Sequence, residues 1–194
     1  GAVTFYDASA SEVIQISLSS TFVVDAALSP DCKTVAVVTM DQEGGTFLSQ
    51  VLFFPVDQKE PKAQVSLGSV TVLDLDYEDG LLWVLGEDRV MTLSDDGKSA
   101  NSYPFGQSYL KGCDFGGEGF ALLLLGRYRA GSANQVMTID PEGEVRSSME
   151  LRSQVLDFDS AGGYCSLLTG SRLTIYTPEL VEYARLGDTQ GARY

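Results

Sequence analysis

Short apolar strands alternate with polar turns along the whole chain, and the alternation repeats. One kind of hairpin consists of an apolar strand, a polar turn and a second strand, and its copies begin at Val3, Val51, Val90, Val136 and Leu173. These starting residues are separated by 48, 39, 46 and 37 residues. The turns are rich in Asp, Gly and Pro, which favour a tight reversal of the chain. The pattern therefore predicts five copies of one β-hairpin.

A second kind of hairpin alternates with the first. Its leading strands are predicted at residues 23–28, 72–76, 110–115 and 155–159, and each is followed by a turn and a second apolar strand. The glycine-rich residues 116–119 are predicted as one of these turns, because they lack the lysine of a phosphate-binding loop. No segment has the 3.6-residue periodicity of an amphipathic helix. The sequence predicts an all-β protein with four short strands in each unit of roughly 40 residues.

Four antiparallel strands per unit are typical of a propeller blade, so the predicted fold is a β-propeller. We predict one domain over residues 1–194, with a half-blade at 1–20 and the start of a further strand at 187–194. The four complete blades are predicted at residues 21–68, 69–106, 107–151 and 152–186. A β-sandwich and a single large barrel are the competing architectures, but neither predicts a repeat of four strands.

The blades are predicted to form a partial ring of about four and a half blades. Residues 1–20 supply only two outer strands of a blade, and eight residues follow Leu186. We therefore expect the chain to be part of a longer propeller, with a compact four-bladed ring as the alternative. Unpaired strand edges favour pairing with a second chain, so self-association through exposed blade edges is a further prediction.

Charge and composition narrow the function. The 27 acidic residues outnumber the 13 basic ones, giving a net charge of −14, which disfavours nucleic acid and anionic membranes as partners. The longest apolar run has six residues, too short for membrane insertion. The chain has no histidine, which excludes Ser-His-Asp and Cys-His catalysis and zinc sites with histidine ligands. The three cysteines have no metal-binding or redox spacing. We predict no catalytic residues, no metal and no cofactor.

Three acidic residues occupy equivalent positions in the leading strands of the second hairpin. They are Asp25, Asp74 and Asp157, and Gly112 takes this place in the remaining copy. Because the leading strand of a blade lines the central channel of a propeller, the three carboxylates are predicted to lie at the channel mouth and attract a cation or a basic peptide. The alternative is that each carboxylate accepts local backbone N–H bonds.

A basic, aromatic segment stands out in the acidic chain. Arg127, Tyr128 and Arg129 lie in a predicted loop, and Arg and Tyr are enriched at interaction hot spots. We predict that these residues contact a protein or peptide partner, with simple solvation as the alternative. Trp83, the only tryptophan, is predicted to pack in the core.

The segment Ser29-Pro30-Asp31-Cys32-Lys33, preceded by Asp25-Ala26-Ala27-Leu28, resembles the strand and turn of TolB-type and WD-repeat-like propellers, in which glycine usually stands at the position of Cys32. The chain also resembles the C-terminal part of an uncharacterised bacterial family of membrane-anchored, propeller-like proteins. The segments at residues 3–6, 25–33, 126–132 and 188–194 carry this second resemblance. It implies an extracytoplasmic location and a membrane anchor outside the chain, and it implies no catalytic residues.

These observations predict a non-enzymatic module that binds a protein or peptide. The alternative enzyme is a propeller that acts on glycans with two carboxylates about 5 to 10 Å apart, one of them with a raised pKa. A purely structural domain of a larger protein is the third possibility.

Overall fold

A computed structural model of the chain describes residues 1–19 and 21–187, in which all regular elements are β-strands. The eighteen strands form five antiparallel sheets. The first sheet, the half-blade, contains β1 (Ala2–Tyr6) and β2 (Glu12–Ser17). Blade 1 contains β3 (Phe22–Leu28), β4 (Thr34–Glu43), β5 (Thr46–Pro55) and β6 (Ala63–Gly68), and blade 2 contains β7 (Val72–Glu78), β8 (Leu81–Gly86), β9 (Arg89–Leu93) and β10 (Ala100–Pro104).

Blade 3 contains β11 (Tyr109–Gly117), β12 (Phe120–Gly126), β13 (Gln135–Ile139) and β14 (Val145–Glu150), and blade 4 contains β15 (Val155–Ala161), β16 (Tyr164–Thr169), β17 (Arg172–Tyr176) and β18 (Glu182–Gly187). In each blade the strands follow one another in chain order across the sheet. This confirms the predicted fold class of four-stranded antiparallel blades. The last strand extends one residue beyond the predicted blade, and the predicted strand at 187–194 lies almost wholly outside the described residues.

The chain divides into two compact units. Unit 1 comprises residues 1–87 and 91–100, and unit 2 comprises residues 88–90 and the chain from residue 101 onward. The prediction that residues 1–194 form a single domain stays a prediction.

The second strand of each blade is the most deeply buried. In β12 every residue is buried, and Trp83 on β8 is only 2% exposed. In unit 1 the two faces of β4 serve different clusters, since Val35 and Val37 pack with Ile16 of β2, whereas Ala36 and Val38 pack with residues of blade 2. A strand covered on both faces requires an uninterrupted apolar run, whereas a strand covered on one face needs apolar residues only at alternate positions.

The leading strand of every complete blade has a register shift at the same place. The extra residues are Val24, Leu73, Lys111 and Leu156, each unpaired with the neighbouring second strand. Such a β-bulge bends the strand and increases its twist. The bulge is thus part of the repeat, and in three blades an aspartate follows it directly.

Four of the five outer hairpins also share one turn, and the longer connection between β5 and β6 does not have it. In each of the four, a residue in the left-handed region donates its N–H to the carbonyl of the first residue of the turn. These residues are Ala10, Gly97, Gly143 and Leu180, with φ of 60°, 71°, 83° and 56°. Glycine adopts this conformation without strain, and alanine and leucine do not. Within the described ranges, no helix has the length and apolar character needed to cross a membrane.

Candidate functional site

The loop that carries Arg127, Tyr128 and Arg129 joins β12 to β13 in unit 2. All three side chains are exposed, and Tyr128 is 70% exposed. The loop is fixed at both ends, because the N–H of Arg127 donates to Oδ1 of Asn134 at 3.0 Å and Nζ of Lys111 donates to the carbonyl of Arg129 at 2.8 Å. The structure therefore presents the predicted partner-binding residues on an anchored, solvent-exposed loop.

The loop lies at one end of the strands of unit 2. In an antiparallel meander, alternate connections lie at opposite ends of the sheet. The connections 126–135, 150–155 and 169–172 therefore lie at one end of their sheets, and the turns 117–120, 139–145 and 176–182 lie at the other. Blades 3 and 4 are aligned in the same sense, because a parallel bridge joins Gly117 to Gly162 and the N–H of Glu118 donates to the carbonyl of Gly162 at 2.8 Å.

The charges of unit 2 are unevenly distributed between these two ends, although Glu150 and Asp157 also lie beside the connections. Three of its described cations, Arg89, Arg146 and Arg185, form ion pairs with Asp88, Glu179 and Glu182. The cations without a carboxylate partner among the described residues all lie at the end that carries the connections: Lys111, Arg127, Arg129, Arg152 and Arg172. We call this end the basic end. The turns at the other end carry Glu118, Asp140, Glu142, Glu144 and Glu179.

Open clefts accompany the basic end. One has a volume of about 530 Å³ and is lined by both Arg152 and Arg172. A second, of about 380 Å³, is lined by Arg127, and Glu150 lines both of them. A third, of about 420 Å³, is lined by Lys111. The basic end thus combines unpaired positive charge with concave surface. Concave surfaces are the usual binding sites for ligands in proteins.

The predicted channel-mouth acids use their carboxylates locally. Oδ1 of Asp25, of Asp74 and of Asp157 accepts the N–H of the following residue, at 2.8, 3.0 and 3.0 Å. Asp25 and Asp74 belong to unit 1 and Asp157 to unit 2. That the three gather at one channel mouth stays a prediction.

Gly112, which stands in blade 3 where the other blades have an aspartate, has a steric explanation. A Cβ atom at Gly112 would lie 2.4 Å from Cζ of Phe158, so the aromatic ring of blade 4 fills the space that an aspartate side chain would need. Phe158 follows Asp157 on the neighbouring leading strand. The sequence shows the missing aspartate, but its cause lies 46 residues away.

The acidic hairpin turns are self-contained. Hydrogen bonds from the side chains of Lys98 and Ser94 hold the pKa of Asp96 well below its usual range. Oδ1 of Asp140 accepts the N–H groups of Glu142 and Glu144 at 3.0 and 2.8 Å. Among the described residues no three acidic or cysteine side chains form a metal-binding group.

A carboxylate enzyme needs an acid whose pKa burial has raised. Every Asp and Glu that the structure describes is at least partly accessible to solvent. Asp157 and Asp159, two residues apart on β15, line one open cleft and are both exposed. Nothing in this arrangement supplies a buried general acid, and the absence of enzymatic activity stays a prediction.

Solved structures similar to this chain include a WD40 domain and two enzymes. The WD40 domain of Pan2 from Neurospora crassa matches with a TM-score of 0.51 and 16% identity, over 88% of this chain and 51% of that chain. Hydrazine synthase of Kuenenia stuttgartiensis matches with a TM-score of 0.58 and 12% identity, over 93% and 66%. A prolyl endopeptidase matches with a TM-score of 0.56 and 11% identity, over 91% and 29%.

At these identities the similarity shows the fold alone. This chain spans between about a third and two thirds of the length of the structures that it matches. No curated protein sequence matches it. The model of one family, described as a family of unknown function (DUF5711), matches residues 1–182. Since this match covers almost the whole sequence, the chain belongs to the DUF5711 family.

Proposed function

We propose that this chain is a non-enzymatic propeller module that binds a protein or peptide at the basic end of unit 2. The observation that carries the proposal is that five cations with no carboxylate partner among the described residues gather at one end of unit 2, whereas its other described cations are paired. Unpaired charge next to open clefts is available to a partner. The propeller fold of the similar structures is compatible with this function, because propellers present loops at the ends of their blades.

The loop of Arg127, Tyr128 and Arg129 is suited to the contact. Tyr128 offers a large amphipathic side chain, and tyrosine and arginine dominate interaction hot spots. The backbone of the loop is held by Asn134 and Lys111, so less conformational entropy is lost on binding than in a free loop. The site is therefore partly preorganised.

A selection from a random peptide library tests the proposal. We expect peptides to be enriched on the wild-type protein and to lose most of their affinity for a Tyr128→Ala variant. Tyr6→Ala is the matched control, because Tyr6 is 63% exposed and lies in unit 1. Failure to enrich any peptide, or equal loss of binding in the two variants, would contradict the proposed site.

We also propose that the module belongs to an extracytoplasmic, membrane-anchored bacterial protein. The resemblance of residues 3–6, 25–33, 126–132 and 188–194 to such proteins supports this location. In cells that make the full-length protein, protease added outside the cytoplasmic membrane should cleave it while a cytoplasmic marker stays intact. Protection of both proteins would contradict the location.

A further inference from the structure

We propose that the cleft lined by Arg152 and Arg172 binds an extended acidic peptide with apolar residues between its carboxylates. This inference rests on the proposed function and names its ligand class and a second contact region. The cleft lies between the end of β14 and the start of β17, so blades 3 and 4 both contribute to it. Neither arginine belonged to the site predicted from the sequence.

The two guanidinium groups are available to a ligand. Neither lies within 4.0 Å of a carboxylate in the part of the chain that the structure describes, and both residues are exposed. An arginine without a partner at the rim of a cleft favours a carboxylate, which it can bind through two parallel hydrogen bonds. Glu150 also lines the cleft, so two positive groups and one negative group face a ligand, and this excess of positive charge favours an acidic one.

The backbone that carries each arginine is held in place. The N–H of Leu151 donates to the carbonyl of Asn134 at 2.9 Å, which fixes the connection that carries Arg152. Oγ1 of Thr169 donates to the carbonyl of Arg172 at 3.1 Å, closing the turn before β17. The backbone positions of the two arginines are therefore set by the fold.

The surface between the arginines is partly apolar. Met149, Leu151 and Tyr176 are half-buried, Leu167 is buried, and all four line the cleft. The volume of about 530 Å³ lies within the range of ligand pockets. A ligand that alternates charged and apolar side chains, as an extended peptide does, can place carboxylates on the arginines and an apolar side chain against this surface.

The net charge of the whole chain favours a short peptide over a long polyanion. At −14, the chain repels an extended nucleic acid or an anionic membrane over distances beyond the cleft. A short peptide experiences mainly the charges that line the cleft, Arg152, Arg172 and Glu150, because salt screens charges more than about 8 to 10 Å away.

The experiment measures fluorescence anisotropy with a labelled seven-residue peptide in which Glu and Leu alternate, and with its counterpart in which Gln replaces Glu. We expect the Glu peptide to bind, with affinity that falls as salt is added, and the Gln peptide to bind at least about tenfold more weakly. An R152E/R172E variant should lose about tenfold or more of the affinity for the Glu peptide. The control R146E/R185E changes the net charge equally at two ion-paired arginines of unit 2 and should retain most of the affinity.

Each other outcome overturns the inference. Equal binding of the Gln peptide shows that carboxylates are not recognised, and equal loss in both charge-reversal variants shows that only net charge matters. Tighter binding of a short oligonucleotide or of anionic vesicles, with the same dependence on Arg152 and Arg172, assigns the cleft to phosphate groups instead. If the Glu peptide fails while the library yields peptides that depend on Tyr128, the proposed function stands and this inference is wrong; if no peptide binds, the proposed function fails as well.

Discussion

The carboxylate of Asp114 on β11 accepts the backbone N–H of Ser160 on β15, with 2.7 Å between Oδ2 and N. The hydroxyl of Ser160 donates to the same oxygen, as does the N–H of Gly116 at 3.3 Å. Ser160 is buried, and a Cβ at Gly116 would lie 2.1 Å from its carbonyl oxygen. These contacts join the leading strands of blades 3 and 4 and hold in register the two blades that form the arginine cleft.

Asp114→Ala should destabilise unit 2 by about 2 kcal/mol, because it leaves the buried N–H of Ser160 without its charged acceptor. Asp159→Ala is the control, since Asp159 is exposed on β15 and its loss should cost about 0.5 kcal/mol or less. Urea unfolding followed by circular dichroism measures both, because Trp83, the only tryptophan, lies in unit 1. Equal effects of the two substitutions would show that the link between the blades contributes little to stability.

Cys32 lies at a position suited to glycine. The turn from Ser29 to Thr34 has the same hydrogen bonds as the turn from Ser94 to Ser99, and Cys32, with φ of 55°, corresponds to Gly97, with φ of 71°. Cys32→Gly should therefore stabilise the protein by about 0.5–1 kcal/mol through relief of backbone strain.

Cys32→Ser is the matched control for this prediction, because it removes the thiol and keeps Cβ. In thermal melts, the serine variant should have the same melting temperature as the wild type, and the glycine variant should have a higher one. A glycine variant that melts below the wild type would show that the turn is not strained at Cys32. The same argument at Ala10, exposed with φ of 60°, gives a second position to measure.

Stability should fall in alkaline solution. Burial raises the pKa of the Cys165 thiol from 9.0 to about 11, and burial together with the charges of Asp95 and Asp31 raises the pKa of Tyr77 far above its ordinary value of 10.0. In the unfolded chain both groups release their protons at lower pH than in the folded protein. The unfolded state then binds fewer protons, so the free energy of unfolding decreases as the pH rises from 9 towards 11.

Tyr77→Phe tests the tyrosine contribution. The hydroxyl of Tyr77 is buried without a hydrogen-bond partner, so its removal should raise the free energy of unfolding by about 1 kcal/mol and reduce its alkaline decrease. Denaturant titrations at several pH values between 7 and about 11 measure both effects. Destabilisation by the substitution at neutral pH would show that the hydroxyl is hydrogen-bonded in solution.

The edge of β1 should mediate self-association. Gly1 and Leu18 exchange backbone hydrogen bonds at 2.7 and 2.8 Å. Because hydrogen-bonded pairs alternate along an antiparallel ladder, Val3 and Phe5 also bond to β2, whereas the N–H of Thr4 faces the opposite edge of β1. No described strand pairs with that edge. Thr4→Pro removes this donor and leaves the ladder to β2 intact, so it should shift the solution mass towards the monomer value of 20.9 kDa.

Light scattering over a range of concentrations measures this mass. Thr4→Ala is the control, because it removes the hydroxyl that accepts a bond from Gln15 at 3.2 Å but keeps the backbone N–H. We expect it to associate like the wild type. A wild type that stays monomeric at high concentration would contradict the prediction.

The repeating elements of the fold could be predicted from the sequence because their causes are local. The hairpin turns depend on Asp, Gly and Pro within a few residues, and the buried second strands depend on short apolar runs such as that of β12. Arg127, Tyr128 and Arg129 were identified because they are contiguous. The residues near Ser29 predicted a turn with an unusual cysteine, and the positive φ of Cys32 gives the physical reason.

The remaining residues of the candidate site could not be predicted, because they depend on which connections lie at the same end of the sheets. Lys111, Arg152 and Arg172 were missed because they are far apart in the sequence and belong to no local motif. A signal was present, since alternate connections of the predicted meander carry opposite charge. The bulge before Asp25, Asp74 and Asp157 needed the strand register, and the contact of Asp114 with Ser160 needed the packing of two blades.

The separation of charge in unit 2 also has a consequence for the kinetics of encounter. Positive groups at one end and carboxylates at the other give the unit an electric dipole, although the chain as a whole is strongly anionic. A dipole exerts a torque on an approaching charged molecule, so an acidic partner is turned towards the productive orientation before contact. Ionic strength would then change the association rate constant more than the dissociation rate constant, and the partner would be selected partly while it is still diffusing.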